Sequence, residues 1–66
     1  MVKANAITRM QEDEGHLSVE RVVALVDLFK LNTSAAVTYL ALGRKDVRQA
    51  WIEKKLAELG FPPQED

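Results

Sequence analysis

Between Val19 and Phe29 only Glu20, Arg21 and Asp27 interrupt a run of apolar residues. Val22, Val23, Leu25, Val26, Leu28 and Phe29 would wrap most of the circumference of a helix there. A helix apolar on so many sides is buried on more than one of them, at the centre of a fold or in a subunit interface. The four valines also suit a buried strand at Val22–Val26, but thirteen residues from Ser18 to Lys30 without Gly or Pro favour helix. Ser18 is a natural N-cap for it, and Glu20 in the first turn suits the helix dipole.

The next pattern opens at Asn32, Thr33 and Ser34, a second capping cluster, with Leu31 placed to act as a hydrophobic staple. The helix that follows buries Ala36, Val37, Leu40 and, on the same side, Tyr39. Gly43 is placed to end it in a left-handed conformation, with Arg44 and Lys45 beside its negative end. Asp46 then predicts the cap of a third strong helix, Val47 to Leu59. Its Val47, Ala50, Trp51, Ile52, Leu56 and Leu59 point inward, and Arg48, Glu53, Lys54 and Glu58 face water. Glu58 follows Lys54 by four residues, the weaker orientation for a helical ion pair. Gly60 stops this helix and Phe61 folds back onto it. At the other end, Val2–Glu12 reads as an amphipathic helix with Val2, Ala6, Ile7 and Met10 on one side. Ala4, Ala6, Thr8 and Met10 also alternate as in an edge strand. Gln11–Gly15 reads as an acidic turn.

This is the pattern of an all-α protein, a small three- to four-helix domain with a central helical hairpin, its N-terminal segment readable as helix or edge strand. Residues 1–61 form one helical domain and residues 62–66 a short solvated tail. A chain of 66 residues buries only about 60 % of its unfolded surface. It has no cysteine, hence no disulfide, thiolate metal site or thiol nucleophile. Small chains without such staples often gain stability by self-association, so a homodimer is expected. Val19, Val22, Val23, Val26 and Phe29 are its expected interface. The apolar run Val22–Val26 is far too short to span a bilayer, and the first fifteen residues lack the apolar core of a signal peptide. A cytoplasmic location in a bacterial-type or other reducing compartment is expected.

Catalysis is hard to assemble from these residues. His16, the only histidine, sits beside Glu12, Asp13 and Glu14 without metal-ligand spacing, so a solvated acidic loop is expected and no metal. The three glycines stand too far apart for a phosphate loop. Neither serine has a base and an orienting acid near it in sequence. The chain reads as non-enzymatic and without a cofactor. The net charge of −1 exerts no global pull on nucleic acid, so any DNA affinity must come from a local patch. Arg44, Lys45 and Arg48 are the clearest one.

The stretch Val26–Leu42, VDLFKLNTSAAVTYLAL, resembles the helix-turn-helix of DNA-binding proteins. Val26, Leu31, Ala36 and Leu40 stand at its inward positions. Lys30 stands at its turn residue, where glycine is usual, and Val26 stands where alanine is usual. The resemblance implies a regulator of transcription or replication, of bacterial, phage or plasmid type, acting as a dimer on double-stranded DNA. Asn32, Thr33, Ser34 and Thr38 would approach the groove while Arg44, Lys45 and Arg48 hold phosphates. The order Val2–Met10, Ser18–Lys30, Thr33–Gly43 also resembles the ribbon-helix-helix proteins, whose dimer pairs two N-terminal strands. An alternative from another class is a helical adaptor or inhibitor that binds a protein partner and never touches DNA.

Overall fold

A computed structural model describes residues 1–62 as four helices. These are α1 (Val2–Asp13), α2 (Val19–Leu31), α3 (Thr33–Ala41) and α4 (Lys45–Glu58). No strand occurs among the described residues. Val2–Met10 is therefore helical, and the ribbon that the ribbon-helix-helix resemblance requires is not there. In the helix, Ala6 and Met10 share the buried face while Ala4 and Thr8 stay in water. Of the proposed tail only Pro62 lies within the described residues.

Local chemistry sets the boundaries. The Ser18 hydroxyl accepts the Arg21 N–H and so caps α2. The Asn32 carboxamide oxygen accepts the Ala35 N–H at 3.1 Å and caps α3. Asn32 alone separates α2 from α3, and the chain bends there by 112°. Leu31, the expected staple, is instead 87 % exposed, because α2 runs through it and turns it outward. Gly43 does not adopt the left-handed conformation. α3 ends on Leu42 in an extended conformation, and Gly60 is the only described glycine at positive φ. There the Phe61 N–H donates to Leu56 O and the Gly60 N–H to Ala57 O, the paired bonds of a Schellman motif. Phe61 is thereby returned to the core, where the Arg21 guanidinium stands 5.5 Å from its ring centroid.

The helix before it begins earlier than expected. Arg44, not Asp46, is the N-cap of α4, and Asp46 lies in its first turn. The inward face of α4 is Arg48, Ile52 and Leu56, four residues apart, with Trp51 half-buried beside it. Val47, Ala50 and Leu59, expected inside, are exposed, and Arg48, expected in water, is buried. Glu58 pairs with Lys55 rather than with Lys54.

The core joins all four helices through Ala6, Met10, Leu25, Phe29, Ala35, Ala36, Tyr39, Ile52 and Leu56. Phe29, Tyr39 and Trp51 form its aromatic centre, with ring centroids 5.3–6.3 Å apart, the separation at which aromatic pairs attract beyond simple burial. Fully burying a side chain of this size contributes about 1.5–3 kcal/mol, so Phe29 and Tyr39, both fully buried, are a large share of what a domain this small has. No single helix among the described residues is long and apolar enough to cross a membrane.

Candidate functional site

Nine residues give α3 a length of about 13 Å. Ala35, Ala36 and Tyr39 fill its inner side and Leu40 is half-buried. The outer side is Thr33, Ser34, Val37, Thr38 and Ala41. Thr33, Val37 and Ala41 follow one another at four-residue intervals, so they form one ridge, and Ser34 and Thr38 form the next. No charged side chain interrupts either ridge.

Cations stand at both ends of that uncharged surface. Between Asp27 and Asp46 there is no acidic residue, while Lys30, Arg44 and Lys45 are all exposed. Lys3 reaches from α1 and donates through Nζ to Lys30 O at 2.8 Å, which places a second ammonium group at the corner where α3 begins. At the far end, Arg44 grips Asp46 with two bonds, Nε to Oδ1 at 3.1 Å and Nη2 to Oδ2 at 2.7 Å. That fork, then the Val47 N–H, holds the Asp46 carboxyl below its ordinary range. The pair lies in water, where such bridges contribute little. Lys45 makes no ion pair among the described residues.

Arg48 does not belong to this exposed group. It is 8 % exposed and turned under α3, into a polar cluster that ties three helices together. Glu14, at the C-cap of α1, is almost wholly buried. Its Oε2 accepts the Tyr39 hydroxyl at 3.1 Å and lies 3.4 Å from Arg48 Nε. That last contact is an ion pair without hydrogen-bond geometry, and among the described residues Arg48 Nε and Glu14 Oε1 have no hydrogen-bond partner. Arg48 Nη1 donates instead to Leu42 O at 3.3 Å, and Nη2 stands 3.7 Å from Asp13. Arg9 bonds Asp13 at 3.2 Å and donates to Leu40 O at 3.1 Å. Two arginines thus take carbonyls that the end of α3 leaves open, and two carboxylates balance them. Burial first, and then the Glu14 charge, drives the Tyr39 phenol well above its ordinary value.

The sequence-predicted residues therefore divide. Asn32, Thr33, Ser34, Thr38, Arg44 and Lys45 are all exposed, on α3 or within four residues of its ends. Arg48 is not among them. Of the five residues expected at a dimer interface, Phe29 is wholly buried within its own chain and is no longer available to a second copy. Val22 and Val26 pack against the same core, and Val19 and Val23 remain exposed at 79 % and 53 %. His16 is exposed and Glu14 is not, so the acidic turn is not uniformly solvated. Among the described residues no group of three or more His, Cys, Asp or Glu converges as metal donors.

Lys3, Lys30 and Glu14 were not legible as parts of these surfaces. For Glu14 the signal was present, since Ala6, Met10 and Glu14 recur every four residues and share one face. No protein-family model matches the chain, and neither a curated protein nor a solved structure is significantly similar to it.

Proposed function

We propose that this chain is a small DNA-binding regulator of helix-turn-helix type that acts as a dimer, with no catalytic step of its own. The observation that carries this reading is the uncharged outer side of α3 with exposed cations at both of its ends. A rod of about 13 Å matches a major groove about 12 Å wide, so cations at its two ends reach the phosphates that border the groove. The 112° bend between α2 and α3 supports the same reading, because helix-turn-helix pairs cross at about 90–120°. The one-residue turn is shorter than the usual three or four. In this arrangement Lys3, Lys30, Arg44 and Lys45 contact phosphate, and Asn32, Thr33, Ser34 and Thr38 approach the bases. Of the α2 residues expected at a two-fold contact, Val19 and Val23 remain exposed.

Titration of a mixed-sequence duplex at rising salt tests the proposal. Four phosphate contacts imply a log–log slope near about −3.6, hence roughly a hundredfold loss of affinity between 50 and 200 mM salt. Lys30→Ala and Lys45→Ala should each reduce that slope by about 0.9. No binding at tens of millimolar salt defeats the DNA reading. The adaptor or inhibitor reading, which the exposed Val19, Val23 and Leu31 favour, then takes its place. Sedimentation at micromolar concentration tests the dimer separately, and a clean 7.4 kDa species opposes it.

A further inference from the structure

We propose that α3 selects its DNA by the C5-methyl groups of thymine, so that its sites carry A·T pairs where the helix enters the major groove. The inference rests on the DNA-binding reading and adds the sequence class that such a surface recognises.

Guanine is ordinarily read by Arg or Lys, and adenine by the carboxamide of Asn or Gln, each through two bonds. None of these four residue types occurs from Thr33 to Ala41. The one amide nearby, Asn32, holds the start of α3 through its Oδ1, which is occupied by the Ala35 N–H. What the outer side offers is aliphatic. Val37 is half exposed at the middle of the Thr33–Val37–Ala41 ridge, and Thr33 and Thr38 add a methyl group each. Thymine alone among the four bases presents a methyl group in the major groove. The hydroxyls of Thr33, Ser34 and Thr38 make single bonds that either kind of base pair accepts. Discrimination on this surface therefore comes from burying methyl against methyl, with the flanking cations supplying the sequence-independent part.

The experiment compares one A·T-rich duplex with the same duplex in which deoxyuridine replaces thymidine, measured at low salt with the 66-residue chain. The exchange deletes the methyl group and leaves base pairing and every hydrogen-bonding atom in place. Affinity should fall about fourfold for each methyl the helix covers. In a G·C duplex, 5-methylcytosine in place of cytosine should recover part of the loss. Val37→Ala, a change at an exposed position, should shrink the thymidine-to-deoxyuridine ratio. Equal affinity for the two A·T-rich duplexes overturns the methyl proposal while DNA binding itself stands. Absence of salt-dependent binding to every duplex removes both.

Discussion

On the inner side of α3, Tyr39, Glu14 and Arg48 are buried together, and with the half-buried Arg9 and Asp13 they hold three helices to one another. On the outer side, Val37 and Thr38 meet solvent on a surface with no charge of its own and cations only at its ends. The same nine-residue helix thus has charge at its centre where it is hidden and at its margins where it is open. Buried charge must be matched at short range, because each ion removed from water costs several kcal/mol unless a partner replaces the solvent. Exposed charge is screened by salt and acts mainly on whatever approaches from outside. The first kind makes shape, and the second kind chooses company.

This contrast can be broken most directly at Glu14 or Arg48. Glu14→Ala leaves a guanidinium buried without its main partner and should destabilise the domain by about 3–5 kcal/mol. A core of this size rarely supplies more than that, so circular dichroism should show a largely unfolded chain at room temperature. Exchanging both residues at once, Glu14→Leu with Arg48→Met, should cost clearly less than the sum of the two alanine variants, because no lone charge remains. If the double exchange costs the full sum, the cluster acts through packing rather than through charge.

A smaller effect is expected at Tyr39. Its phenol is held neutral well above the ordinary value of about 10, so folded and unfolded chains bind the same proton below that pH. Above it the unfolded chain loses the proton first. Stability then declines by about 1.4 kcal/mol per pH unit until the folded phenol also titrates. Urea denaturation between pH 8 and 11 should show this decline, and Tyr39→Phe should flatten it. The smallest effects belong to the outer surface. Val37→Ala and Thr38→Ala should each change stability by no more than about 0.5 kcal/mol, as replacements at exposed positions do. A larger loss from either would mean that the outer side of α3 is part of the core.

Much of the architecture was legible because helix ends are written in local chemistry. Ser18, Asn32 and Gly60 each cap or stop a helix as their side chains, or the lack of one, imply. Gly43 failed as a stop signal because α3 ends in extended backbone, where glycine has no advantage. The two sides of α2 were harder to assign. Its valines are apolar all round, and only the positions of α1, α3 and α4 decide that Val22 and Val26 go inside while Val19 and Val23 do not. The polar cluster was least legible of all. Glu14 ends an acidic run and Arg48 sits among surface charges, and only the recurrence of Ala6, Met10 and Glu14 every four residues points one of the two inward. Burial of a charge is a property of a pair, and the pair is 34 residues apart in sequence.

The elbow at Asn32 has a consequence for kinetics. A connection of one residue, capped by its own side chain, leaves α2 and α3 almost no internal rotation to lose. A recognition surface that needs no ordering avoids the entropic penalty that flexible loops bring to association. On the proposed DNA-binding reading, encounter and not rearrangement would set the rate at which a duplex is captured, and differences among duplexes would be expressed in how long each stays.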